Sequence, residues 1–206
     1  LLFSAEGMKG NIGGVILFDE TIRQNSATGT PLVDLITAQG ALPGIKVDKG
    51  LKPIEGLEEN LTQGLEGLDE RLKEYYDLGA KFTKWRAVIN IGKDLPSEAA
   101  ISANMEALAS YAKIVQDNKM VPMVEPEVLM DGDHTIEACF EVTSRCLDSL
   151  FSNLHKSGVN IEGTILKPNM ITSGSSAKEQ AGVQEVAEKT LQLSLIHISE
   201  PTRRRH

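Results

Sequence analysis

The sequence predicts an α/β fold built on a parallel sheet and rolled toward a (βα)8 barrel, with only part of the barrel present. Three observations lead there. Apolar runs of strand length alternate with segments of helical spacing, and strand starts fall about thirty to forty residues apart, the size of one strand–helix unit. Charged residues recur two apart on successive predicted strands, which puts them on one face. Neither a Gly-x-Gly-x-x-Gly fingerprint nor a Walker loop supports a nucleotide-binding sheet.

The strands come first. Gly14 to Phe18 is a continuous apolar run, and Gly44 to Asp48 is a shorter, partly polar one. Phe82 to Ile91 alternates, with Lys84, Arg86 and Val88 on one side. Met120 to Val128 and Thr164 to Lys167 complete the set of five. Between them lie helices. Glu66 to Leu78 carries Leu68, Leu72, Tyr75 and Tyr76 on one stripe. Ser97 is placed to cap a helix bearing Ile101, Met105, Leu108, Tyr111 and Val115. Asp133 is expected to cap the next, with Ile136, Phe140, Thr143, Leu147, Phe151 and Leu154 inward, and a last helix is expected from Ala177 to Gln192.

Charge decides between a doubly wound sheet and a barrel. Helices cover both faces of a doubly wound sheet, so its strand interiors stay apolar. Here Lys46 and Asp48, Lys84 and Arg86, and Glu125 and Glu127 each share a strand face. Inward side chains that converge at an upper rim fit a barrel, whose active sites lie at the carboxyl ends of its strands. A whole barrel needs roughly 250 residues. Five strands in 206 residues leave about three unaccounted for.

The chemistry centres on Lys167. Pro168 ends its strand, because proline has no N–H to give a sheet. Lys167 is thereby expected at a strand's carboxyl end, in partly apolar surroundings that favour the neutral amine needed for a Schiff base. Lys84 is expected beside it, repelling its charge. Glu125 or Glu127 could move protons during carbinolamine formation and dehydration. Arg86 and Lys46 could hold phosphates. The plainer reading of the same residues is structural: Glu125 and Glu127 neutralise Lys84 and Arg86, and Lys46 pairs with Asp48.

Other chemistries find less support. Asp131, Asp133 and His134 form a cluster with metal-ligand character, but it falls where a helix cap is expected, and His155 is in an exposed register. No metal or other cofactor is expected. The net charge of −8 comes without a basic, aromatic-interleaved stripe, which argues against nucleic acid. No apolar run reaches membrane-spanning length. Cys139 and Cys146 lie seven apart in one predicted helix, too far for a disulfide, and read as core residues of a reducing compartment.

Two expectations concern the ends. The chain begins at Leu1 in apolar sequence without an initiator methionine, and Leu193 to Arg203 resembles a translated sequencing adapter, with Arg204, Arg205 and His206 as further read-through. The partial domain is therefore expected over residues 1–192, with 193–206 a non-native tail.

The motifs GVILFDET (Gly14–Thr21), GIKVDKG (Gly44–Gly50), TQGL (Thr62–Leu65), FTKWR (Phe82–Arg86), VEPEVL (Val124–Leu129), DGDH (Asp131–His134) and GTILKPNM (Gly163–Met170) stand here in order. Together they resemble class I fructose-bisphosphate aldolase, the metal-independent Schiff-base type, over residues 1 to 192. Pro53 to Asn60 and Ser173 to Gly182 look less like the animal enzymes. The resemblance implies a (βα)8 TIM barrel with strands two to six present. It implies that Lys167 is the Schiff-base lysine, that Glu125 gives and takes protons in dehydration, and that Lys84 lies beside the imine. Glu127, Lys46 and Arg86 would line the site, the last two near substrate phosphate or hydroxyls.

The implied reaction is reversible cleavage of fructose 1,6-bisphosphate to glycerone phosphate and glyceraldehyde 3-phosphate, in glycolysis and gluconeogenesis. The implied setting is a cytoplasmic homotetramer, with a plastid also open. The family's first-strand aspartate, its late phosphate loops and its C-terminal tyrosine lie outside the matched motifs, so the fragment alone is expected to be inactive. A transaldolase-like or other phosphosugar barrel enzyme, or a non-catalytic binding role, are the alternatives.

Overall fold

The computed structural model of the protein describes residues 2–5 and 7–197. Five strands form one parallel sheet: β1 (Gly14–Leu17), β2 (Leu42–Lys46), β5 (Phe82–Ile89), β6 (Val121–Val128) and β7 (Ile165–Leu166), side by side in that order. An antiparallel hairpin, β3 (Leu51–Pro53) and β4 (Asn60–Thr62), intervenes in the chain after β2. The helices are α1 (Asp19–Ile22), α2 (Leu32–Ala38), α3 (Leu68–Asp77), α4 (Glu98–Asp117), α5 (Ile136–Lys156) and α6 (Val183–His197). Among the described residues no helix is long and apolar enough to cross a membrane.

The two faces of the sheet differ in kind. On β5, Thr83, Trp85, Ala87 and Ile89 are buried, while Lys84, Arg86 and Val88 on the other face are only half-buried. The buried face packs on α4 and α5: Ile101, Met105, Leu108, Tyr111 and Val115, and Ile136, Thr143, Leu147 and Leu154, are buried as their spacing predicts, while Phe140 and Phe151 of the same stripe are half-buried against the core. Tyr111 locks the layers together. Its hydroxyl lies 2.6 Å from Thr83 Oγ1 and donates to Met123 O at 3.2 Å, and its ring stacks at 5.3 Å on Trp85. The opposite face carries the charged residues above and exposed apolar ones below, among them Ile16, Leu42 and Ile165.

Local chemistry explains two details of the sheet. Pro122 and Pro126 both stand in β6, yet they share the strand side of Val124, whose carbonyl accepts from Lys167 N at 2.9 Å. That side faces β7, which pairs only with Met123 and Val124, so neither missing N–H interrupts the ladder. Gly44 suits the packing there: a Cβ would collide with the Phe82 ring, which crosses it from β5.

Several expectations need correction. The cap of α5 is Thr135, whose hydroxyl accepts from Ala138 N at 3.2 Å, not Asp133. The last helix begins at Val183 rather than Ala177. Residues 174–176 bond across to Met130, Gly132 and His134, and Ala181 N donates to the Ser173 hydroxyl at 3.1 Å, so the stretch is tied back in turns. Tyr76 faces outward under the Lys81 ammonium, 4.8 Å from its ring centroid. Apart from these corrections, Gln192, where the expected tail was set off, lies within α6, and Leu193 is buried. The rest of the expected tail, 198–206, lies outside the described residues.

Candidate active site

All six expected site residues stand on the uncovered face or at the carboxyl ends of the strands. Register brings them together: Lys46 is level with Lys84, Arg86 with Glu125, and Val88 with Glu127. Lys167 follows β7 directly, and its N–H bonds to Val124 O, which sets it beside Glu125. The turn after it is fixed by Asn169, a residue the sequence reading did not single out. Its Oδ1 accepts from Val128 N at 3.2 Å, and its amide donates to Thr143 Oγ1 at 3.4 Å.

At the centre is Glu125, with a side chain only 4 % exposed. Lys167 Nζ donates to its Oε1, and Lys84 Nζ forms an ion pair with its Oε2. The carboxylate therefore bridges two ammonium groups from neighbouring strands. Lys84 is 13 % exposed and Lys167 51 %. The expectation of a desolvated Lys167 is thus not met. Its side chain is half exposed, and its amine is held by a carboxylate.

The other pairs also form. Arg86 Nε donates to Glu127 Oε2. Lys46 Nζ donates to Asp48 Oδ1 at 2.5 Å. The neutralising pairs read from the sequence therefore coexist with the candidate catalytic arrangement. Beside Lys46 a cavity of about 360 Å³ opens at the rim, lined also by Phe18, Asp19, Lys49, Arg71 and Tyr75. Arg23 and the Tyr75 hydroxyl hold the Asp19 carboxyl below its usual range by hydrogen bonding. Hence Asp19 faces the cavity already paired.

The cluster at the end of β6 behaves differently. His134 is buried, and neither ring nitrogen has a hydrogen-bond partner. Burial pushes its imidazole below the ordinary range. Among the described residues no group of three or more His, Cys, Asp or Glu side chains could hold a metal ion. Cys139 and Cys146 are free and buried in α5, and burial pushes the Cys146 thiol up to about 12.

Comparison with known proteins gives this arrangement a family. A family model described as Fructose-bisphosphate aldolase class-I matches residues 1–198. A relative from Xanthomonas axonopodis pv. citri, named "Probable fructose-bisphosphate aldolase class 1", is 55% identical over 192 residues, covering 93% of this chain and 58% of its own. Fructose-bisphosphate aldolase 6, cytosolic, of Arabidopsis thaliana is 50% identical over 192 residues, 93% of this chain and 53% of its own. Among solved structures, fructose-bisphosphate aldolase from Plasmodium falciparum, in complex with TRAP and a small-molecule inhibitor, superposes with a TM-score of 0.93 at 44% identity, over 95% of this chain and 57% of that one. The chain thus spans between half and three-fifths of the length of these relatives. With its parallel strands laid on a solved aldolase and nearly its whole length matched, the chain belongs to the class I fructose-bisphosphate aldolase family.

Proposed function

We propose that this chain carries the imine chemistry of a fructose 1,6-bisphosphate aldolase. One observation supports this above the others: a single buried carboxylate, Glu125, is shared by a half-exposed lysine and a more buried one. When Lys167 gives up its proton, Glu125 keeps Lys84 as a charged partner, so the buried carboxylate is not left alone.

The steps follow from that pairing. The neutral Lys167 amine attacks the ketose carbonyl at C2, and the resulting alkoxide takes a proton to give a carbinolamine. Glu125 takes up the proton shed by the attacking nitrogen and passes it to the leaving hydroxyl, so that water departs and the iminium forms. Removal of the C4 hydroxyl proton then breaks the C3–C4 bond, and glyceraldehyde 3-phosphate leaves while the electron pair moves into an enamine. Protonation at C3 and hydrolysis of the imine release glycerone phosphate and regenerate Lys167. Lys84 holds Glu125 in place throughout, and Glu127 fixes Arg86. Lys46 and Arg86 meet the phosphates, Arg86 as a fork and Lys46 as a point charge. No step uses a metal or another cofactor, in keeping with the Schiff-base class.

The cytoplasm is the proposed compartment, as the names of two Arabidopsis relatives print for those proteins. A homo-oligomer, a tetramer by family resemblance, is the proposed assembly. Turnover at family rates is assigned to a chain of the relatives' length; the 206-residue chain is expected to form the imine without useful turnover. The test is borohydride trapping with glycerone phosphate, followed by peptide mass mapping. A reduced adduct on Lys167 that disappears in Lys167→Ala is the expected result. No adduct in the parent chain, with the fold intact by circular dichroism, sinks the reading.

A further inference from the structure

Three lysines, Lys46, Lys84 and Lys167, stand in one mouth, and each could in principle condense with a carbonyl. We infer that Asp48 is the residue that confines imine formation to Lys167, by holding Lys46 as an ammonium. The inference rests on the imine reading above, and it concerns a residue to which that chemistry assigns no step.

The asymmetry lies in how many cations each carboxylate holds. Glu125 holds two, so Lys167 can lose a proton while Glu125 stays paired with Lys84. Asp48 is held by one. Its side chain is 6 % exposed, Oδ1 accepts from Lys46 Nζ at 2.5 Å, and its buried Oδ2 has no hydrogen-bond partner. Deprotonating Lys46 would remove the one cation in ion-pair contact with a buried carboxylate, and that is strongly unfavourable. Lys46 also donates to Asp48 O at 3.4 Å, and its ammonium lies 6.0 Å from the Phe18 ring centroid, a second contact that needs the charge.

The surroundings make Asp48 necessary. Lys49 and Arg71 line the same rim cavity and add positive charge beside Lys46. The other carboxylate there, Asp19, is engaged by Arg23 and the Tyr75 hydroxyl. Asp48 therefore supplies the counter-charge at Lys46. It acts through Lys46 and not on substrate, because its free oxygen is enclosed, whereas Lys46 is 27 % exposed toward the mouth. The geometry follows from the strand: Val47 N still bonds to Lys84 O at 3.1 Å, so the extended backbone continues past Lys46 and returns Asp48 to the same face.

The experiment reads lysine reactivity directly. The 206-residue chain and its Asp48→Asn and Asp48→Glu variants are acylated with trace acetic anhydride at neutral pH, and each lysine is quantified by peptide mass mapping. Lys73 and Lys113 serve as exposed references, and Lys84 reports general loosening. Loss of the charge-assisted bond is expected to raise Lys46 acylation roughly tenfold in Asp48→Asn. Lys84 should stay unchanged, and Asp48→Glu should remain near the parent. Unchanged Lys46 reactivity in Asp48→Asn overturns the inference, as does an equal rise at Lys84.

A second arm repeats the borohydride trapping with glycerone phosphate. The Asp48→Asn chain is expected to carry adducts on both Lys46 and Lys167. An adduct on Lys167 alone in that variant overturns the inference and leaves the imine reading standing. No adduct on Lys167 in the parent overturns the imine reading, while the acylation arm still reports on Asp48. Should Asp48→Asn not fold, the unmodified chain carries the test: Lys46 must lag Lys167 in acylation about tenfold across neutral pH, and equal rates refute the role.

Discussion

Replacing Glu125 with glutamine removes the charge that joins two strands at the mouth, and its cost can be worked from exposure. Lys84 and Glu125 are 13 % and 4 % exposed, so their pair counts as buried. Removing one partner of such a pair costs about 3–5 kcal/mol because a buried charge is left alone. The low end applies here, since the glutamine carbonyl can still accept one hydrogen bond. Lys167 adds little, being 51 % exposed and screened by water. Glu125→Gln should therefore lose about 3 kcal/mol, or roughly 6–12 °C in melting temperature for a chain of this length. Lys84→Met alone should cost less, about 1–2 kcal/mol, because Glu125 keeps Lys167. The double variant has no orphaned charge and should come out more stable than Glu125→Gln alone. Melting curves by circular dichroism on the four proteins close the cycle. Single losses that simply add in the double variant would refute the coupled, buried pair.

Three further outcomes are expected. Thr135→Ala should cost about 1 kcal/mol in urea unfolding while Asp133→Ala costs little, and the reverse order would restore Asp133 as the cap of α5. Gly44→Ala should destabilise the sheet by about 1–3 kcal/mol through the Phe82 ring, with the loss largely recovered by adding Phe82→Leu; no recovery would place the cost elsewhere. Because burial raises the Cys146 thiol from 9.0 to about 12 in the folded chain, the unfolded chain loses that proton first as pH rises. Stability should therefore be intact below pH 9.0 and fall between there and about 12, and the slope should flatten in Cys146→Ala; an unchanged slope contradicts the assignment.

The features legible in the sequence were those set by period and by proline. The charges of Phe82–Ile89 and Val121–Val128 alternate against buried neighbours, and period two alone put Lys84, Arg86, Glu125 and Glu127 on one face. The helical stripes of α4 and α5 were equally plain because their apolar spacing is unbroken. What escaped was decided by distant contacts. The β3–β4 hairpin has three-residue strands with a lysine and a proline in one of them, and neither strand has a period to read. It is held by partners far along the chain: Thr62 Oγ1 donates to Arg86 O at 2.8 Å, Asn104 donates to Asn60 O at 2.9 Å, and Glu59 accepts from Ser97 N at 3.1 Å. α2 is a seven-residue helix behind Pro31, too short to show a stripe. In the site, the identity of the pairs was legible from strand positions. The exposure of Lys167 was not, because it depends on what stands across the mouth and not on its own strand.

The strand order has a consequence for how the chain comes to be folded. Along the parallel sheet, spatial order is chain order, so every strand pairs with the parallel strand that precedes it in the sequence. No strand has to wait for a later one to be inserted between its neighbours. Each strand–helix unit can dock on a finished edge as it leaves the ribosome, with loop closures confined to one unit's length. Growth of this kind is almost one-dimensional.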